Sequence, residues 1–188
     1  MAQNEMDRLL ELVKEKSFTY GDFTLSSGMK SSYYFDGRMT TLSPEGAYLV
    51  GKKVFQLLKD DDIQAIGGPT LGADPIVAAV AVVSYMEGNP IPAFIVRSEP
   101  KEHGTRRHIE GNLPSAGTVA IVDDVITTGG AIFKAIRAVE EEGCQVGKVV
   151  VFLDRNQGGS DELRKRGYDV RALLSADAHG NVSIPNYI

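Results

Sequence analysis

Residues Thr118 to Ala131, reading TVAIVDDVITTGGA, constrain this chain more than any other stretch. An apolar run of strand character, Thr118–Val122, ends in two adjacent acids, Asp123 and Asp124. It continues through Val125 and Ile126 into a small-residue turn, Thr127-Thr128-Gly129-Gly130. From Ala131 to Glu142 the apolar residues recur at helical spacing, with Ile132, Ala135, Ile136 and Val139 on one face.

That pattern carries chemistry as well as structure. Gly129 and Gly130 let the backbone take positive φ and approach a ligand closely. Two threonine hydroxyls and the free amides of a helix start suit a phosphate group, with help from the helix dipole. The two carboxylates can take sugar hydroxyls or a hard divalent cation. Acids at a strand end also cap helices or sit in solvated loops; the adjoining TTGG turn favours the ligand reading, and together they point to a phosphorylated sugar.

Elsewhere the chain alternates short apolar strands with helical patterns. Asn4 to Glu15 reads as an amphipathic helix, and Phe18 to Arg38 as two short strands with turns. Ser43-Pro44-Glu45 opens a helix running to about Leu58, with a capping residue and proline at its first position. A strand beginning at Ala65-Ile66 is expected to end in a Gly67–Gly72 turn, a candidate second anion site. Asp74-Pro75 starts a further helix whose residues Ile76 to Met86 are apolar on nearly all sides, predicting burial. Pro92–Val96 and Val149–Leu153 complete the strand set, and Arg155 follows the latter at its carboxyl end. The alternation predicts an α/β fold with a parallel central sheet flanked by helices and a ligand site beyond the strands' carboxyl ends.

Ser98 to Gly117 breaks this rhythm with little strand or helix character. Loops that long are uncommon in compact domains unless they act as lids or are disordered. This one carries Lys101, His103, Arg106, Arg107 and His108, with Arg97 at its base, in a chain of net charge −5. Local positive charge there suits a polyanion, whereas the acidic total argues against a nucleic-acid surface. At 188 residues the chain is expected to form a single domain, without a membrane span or a signal peptide, and to be cytoplasmic. The single cysteine, Cys144, excludes an internal disulfide, and the three histidines lack zinc-site spacing. Gly46 to Lys53 imitates a P-loop but lacks its Ser/Thr and reads as mid-helix.

The segment VAIVDDVITTGGA resembles the signature of the type I phosphoribosyltransferases. Together with FTLSSGMKSSYYFDGR, GGPTLGADP, VRSEPKEHG and FLDR, it makes nearly the whole chain similar to orotate phosphoribosyltransferases. The resemblance implies the type I fold with a small N-terminal hood (residues 1–40) on a core (41–188). It implies transfer of a 5-phosphoribosyl group from phosphoribosyl diphosphate to orotate with Mg2+, a pentosyltransferase step of pyrimidine biosynthesis. The donor would be bound by Arg97, Lys101, His103, Asp123, Asp124, Val125, Ile126, Thr127, Thr128, Gly129, Gly130 and Ala131. Lys101, His103, Asp123 and Asp124 would be catalytic, with the two aspartates meeting the metal indirectly, through substrate or water. Tyr34, Phe35, Thr127 and Arg155 would frame orotate. A homodimer is implied, with loop 98–117 reaching the neighbouring site. Many members carry lysine where Ser26, Gly72 and Ser98 stand here. A purine (hypoxanthine or xanthine) phosphoribosyltransferase and a non-catalytic regulator that senses phosphoribosyl diphosphate are the competing readings.

Overall fold

The computed structural model describes residues 4–24, 30–99 and 108–186. Helix α1 (Glu5–Lys16) opens with Asn4 as its cap, the Asn4 side chain accepting from the Met6 amide, and buries Met6, Leu9, Leu12 and Val13. Two antiparallel strands follow, β1 (Phe18–Thr24) and β2 (Lys30–Phe35), paired from Phe18 opposite Phe35 to Thr24 opposite Lys30. They form a two-stranded sheet of their own, the expected hood. A single helical turn, α2 (Arg38–Thr41), leads to α3 (Pro44–Leu58), where the Ser43 hydroxyl accepts from the Gly46 amide as the sequence signature predicts.

The remaining strands make one seven-stranded sheet in the order β5-β4-β3-β6-β7-β8-β9. Strands β3 (Ala65–Pro69), β4 (Ala93–Val96), β6 (Gly117–Ile126), β7 (Cys144–Asp154) and β8 (Val170–Ala176) run parallel. The edge strands β5 (Ile109–Gly111) and β9 (Val182–Ser183) are antiparallel, so the sheet is mixed at its rims. Helix α5 (Gly130–Glu141) and α6 (Gly159–Lys165) cover one face, burying Ile132, Ile136, Val139 and Leu163 over Ala65, Phe94, Ile121 and Val149. On the other face α1, α3 and α4 (Asp74–Met86) pack with the hood over Ile66, Ala120, Val122, Val150 and Phe152. Strands buried on both faces explain the near-continuous valine and isoleucine runs of β6 and β7.

Three expectations need correction. The stretch taken as one irregular loop contains β5, whose backbone pairs with β4 at the sheet edge. Gly67 and Gly68 belong to β3, opposite Phe94 and Ile95, so only Thr70 to Gly72 form the turn. Helix α4 buries Ile76, Val77, Val80 and Val83 but leaves Val82 61%, Tyr85 77% and Met86 73% exposed. An all-apolar helix signals burial only if something covers every side, and here the sheet and α3 leave the outer side open. No helix among the described residues is long and apolar enough to cross a membrane.

Candidate active site

Strand β6 runs four residues past Val122, its backbone pairing with β7 through Ile126 opposite Asp154. The two acids therefore stand on ladder backbone and not in a loop. Asp123 is buried (7% exposed) and its Oδ1 accepts from the Asp124 amide at 2.9 Å. Burial pushes its carboxyl well above the usual carboxylate range, and the neighbouring Asp124 charge pushes it further. Burial also raises Asp124, partly opposed by the Arg38 guanidinium and reinforced by Asp36. Such a pair holds little charge comfortably until hydroxyl donors or a cation arrive.

Two turns close on these acids. The segment after β2 carries Asp36 and Arg38, whose guanidinium holds the Asp36 carboxylate at 2.9 Å and keeps Asp36 below its ordinary pKa. Between them Gly37 lies against Asp124, where an added Cβ would stand 3.1 Å from the Asp124 Cβ. After β3, Gly72 lies against both acids: a Cβ there would stand 2.7 Å from Asp124 Cγ and 2.9 Å from Asp123 Oδ1. Glycine at 72 is thus what lets this turn and the acid pair share one spot. The turn is tied down from both sides, the Thr70 amide donating to Val96 O at 3.0 Å and the Thr70 hydroxyl to Asp74 Oδ2 at 2.7 Å.

Beyond β6 the chain turns through Thr127 and Thr128 to Gly129, the N-cap of α5, which adopts φ 84°. No side chain caps this helix, so its first amides point out beside exposed Thr128, Gly130 and Ala131. An uncapped helix start with positive dipole is an anion site in waiting. The start of α6 braces it from behind: the Gly159 amide donates to Thr127 O at 2.9 Å.

Arg155 sits at the carboxyl end of β7, its amide donating to Ile126 O at 3.1 Å, which ties it to the start of the phosphate-type turn. The adjacent Asp154 carboxylate is buried and accepts from the Asn156 amide at 2.8 Å. The Arg155 side chain is only 6% exposed, with Nε donating to the Tyr33 hydroxyl at 3.0 Å and the guanidinium 4.3 Å from the Tyr33 ring centre. Strand β2 alternates: Tyr34 faces out (44% exposed) against Phe23, while Tyr33 and Phe35 turn inward. Phe35 packs in the core 5.1 Å from the Phe18 ring and 6.1 Å from Phe152. The Phe35 ring thus packs beneath Tyr34, which leaves its backbone as the part of this residue beside Tyr34.

Arg97 is exposed at the end of β4, 3.9 Å from Glu110, and its amide donates to His108 O at 2.8 Å. It lines a cavity of about 710 Å³ together with Thr70, Ser98, His108, Gly130 and Lys134. The expected donor residues Arg97, Gly130 and Ala131 thereby share one hollow with the turn that follows β3. Lys101 and His103 lie outside the described residues, as does Ser26.

A phosphoribosyl transferase domain model matches residues 49–183. The chain is 44% identical over 177 residues to the orotate phosphoribosyltransferase of Aquifex aeolicus, covering 93% of this chain and 97% of that one. The chain belongs to the orotate phosphoribosyltransferases. Among solved structures, the Mycobacterium tuberculosis H37Rv orotate phosphoribosyltransferase in complex with Fe(III) dicitrate matches with a TM-score of 0.80 and 37% identity, over 92% of this chain and 97% of that one. The same enzyme in complex with 5-phospho-alpha-D-ribosyl 1-diphosphate matches with a TM-score of 0.76 and 34% identity, over 92% and 96%.

Within this family member the structure adds residues that the motifs did not announce. Tyr33 had a legible signal, since strict alternation in SSYYF puts it on the face of Phe35 and opposite Tyr34. Gly159 had none, because its contact with Thr127 joins two strand ends that only the parallel β6–β7 pairing makes neighbours. Asp36 and Arg38 reach the acid pair only through the hood's placement on the core. Among the described residues no group of three or more His, Cys, Asp or Glu side chains gathers as a metal centre.

Proposed function

We propose that this protein transfers the 5-phosphoribosyl group from phosphoribosyl diphosphate to orotate, releasing diphosphate and forming orotidine 5′-phosphate in pyrimidine biosynthesis. One observation carries the reading: an acid pair with Asp123 buried and Asp124 half-buried, an uncapped glycine turn and a buried arginine meet at the same carboxyl edge of the sheet, under the hood. In this reading the 5′-phosphate rests on the amides and hydroxyls of Thr127 to Ala131, with Val125 and Ile126 leading the backbone in. Asp123 and Asp124 accept the ribose hydroxyls, which offsets the burial that otherwise disfavours their charge. The diphosphate extends toward Thr70 to Gly72 and Arg97, where Lys101 and His103 of a neighbouring copy's loop would join it. Orotate lies beside Tyr34 and Thr127, its carboxylate or carbonyl edge meeting Arg155, whose guanidinium fork suits a planar anion.

No protein nucleophile is required. Cleavage at the anomeric carbon leaves an oxocarbenium-like ribose and a highly charged leaving group, while orotate arrives already as an anion. Catalysis then rests on donors aimed at the leaving diphosphate and on exclusion of water. Two carboxylates with raised pKa fit a hard cation met through substrate or water and are too few for an all-protein cage. Bound there, Mg2+ would neutralise diphosphate charge.

The chain is read as one domain, residues 1–40 forming the hood and 41–188 the core. It would act in the cytoplasm as a homodimer in which loop 98–117 reaches the neighbouring site; the exposed Val82, Tyr85 and Met86 of α4 offer apolar surface for such an assembly. The test is orotate depletion followed by ultraviolet absorbance, with phosphoribosyl diphosphate, with and without Mg2+. Consumption of orotate supports the reading. Consumption of hypoxanthine or xanthine with orotate untouched would replace it by a purine enzyme. Tight donor binding without turnover, with specific DNA retention, would replace it by a regulator.

A further inference from the structure

Tyr33 makes a set of contacts that its fold position does not require. It is a hood residue, on β2, yet its ring and hydroxyl both serve groups of the core. It is 1% exposed, and its hydroxyl accepts from Arg155 Nε at 3.0 Å while donating to Asp177 O at 3.4 Å. The donated proton faces Asp177, so an oxygen lone pair faces the guanidinium. The same guanidinium lies 4.3 Å from the ring centre, within cation–π range. The ring is held in turn: Phe18 lies at 5.4 Å, and Gly180 comes so close that an added Cβ would stand 2.8 Å from Tyr33 Cδ1.

Hydrophobic packing alone would be satisfied by phenylalanine, as Phe35 shows two residues later on the same face. What the hydroxyl adds is a fixed direction for the Arg155 fork. Rotation of the guanidinium about its stem is the freedom that a planar ligand would otherwise have to remove on binding. A bond at Nε fixes the plane while the ring fixes its height, and a 1 Å misplacement of a binding group is costly.

We propose that Tyr33 is a positioning residue for the base substrate, acting through Arg155 to fix the orientation of the guanidinium that receives orotate. This rests on the reading of Arg155 as the base-binding arginine. The hood thereby gains a second role, because β2 delivers Tyr34 to the outer surface and Tyr33 to the arginine behind it. Hood placement and base recognition are then coupled through one residue pair.

The test is Tyr33→Phe, which keeps the ring and removes only the hydroxyl, assayed with both substrates varied. Loss of a hydrogen bond to a charged group predicts about a tenfold fall in kcat/KM for orotate. KM for phosphoribosyl diphosphate should stay within about twofold of the parent, since the Tyr33 hydroxyl bonds Arg155 on the base side and Asp177 behind it. The second measurement is a double-mutant cycle with Arg155→Lys, which keeps a cation but lacks Nε. If Tyr33 acts through the arginine, Tyr33→Phe adds little to the loss already caused by Arg155→Lys. Additive losses, or equal rises in KM for both substrates alongside a lowered melting temperature, would overturn the proposal in favour of a purely structural tyrosine. Failure of the functional reading is distinguishable, because there the unmodified protein itself leaves orotate unconsumed.

Discussion

Gly159→Ala tests whether the start of α6 and the phosphate-type turn share space as closely as the structure indicates. An added Cβ would stand 2.6 Å from Thr127 O, 2.8 Å from Gly129 N and 2.8 Å from Ile126 Cγ1. The first two are backbone atoms, which cannot rotate aside, so the turn itself or the α6 start must move. Overpacking of this kind costs about 1–3 kcal/mol. Against it, alanine restricts the unfolded chain and contributes about 0.4–1 kcal/mol, since Gly159 is not in the left-handed region. The clash wins, leaving a net loss of about 0.5–2 kcal/mol, or roughly 1–8 °C in Tm for a chain of this length. Because the displaced atoms belong to Thr127 and Gly129, the KM for phosphoribosyl diphosphate should rise more than the KM for orotate. Gly130→Ala supplies the comparison for stability: a Cβ there meets nothing within 4 Å, so Tm should hold or rise slightly through helix propensity. Thermal melts and initial-rate titrations on the three proteins decide the matter. A Gly159→Ala protein that melts with the parent and keeps its donor KM would show that the brace is not there.

Asp123→Asn should stabilise the ligand-free protein. Burial raises the Asp123 pKa, so above about pH 4 the unfolded chain releases a proton that the native state retains, and native stability declines as pH rises through that window. Asparagine carries no such proton, and its Tm advantage should widen as pH rises above the ordinary carboxylate range while turnover falls; a pH-independent gap would refute the assignment. Phe35→Ala should cost about 3–5 kcal/mol by emptying a core site, visible as a large drop in denaturation midpoint. Tyr34→Ala, at an exposed position, should leave the midpoint nearly unchanged and raise the KM for orotate; the reverse ranking would mean that β2 is flipped.

How much was legible in the sequence differs from element to element. Ser43-Pro44 located the start of α3 to the residue, because a cap and an N1 proline are local signals. The β6 and β7 strands were found but cut short: Asp123, Asp124 and Asp154 look like loop residues until their backbones are seen paired in the ladder, and the polar, glycine-containing start of β7 from Cys144 to Lys148 lacks an apolar run. For the site, the TTGG turn and the acids were readable because phosphate and diol chemistry requires particular residue types in sequence order. The resemblance places Phe35 beside the base without saying which of its atoms would meet it, and only the pleat shows its ring turned into Phe18 and Phe152.

Local pattern alone thus determined the α/β class, the caps and the anion-binding turn, because each depends on residues adjacent in the chain. Tertiary structure decided which groups meet. Gly72 and Gly37 touch the acid pair, Gly159 braces Thr127, and Tyr33 holds Arg155 across 122 positions of sequence. These contacts join strand ends, turns and the hood, segments whose separation in the chain says nothing of their distance in space. Only the order of strands in the sheet, set by how its two faces are buried, brings them to a common edge.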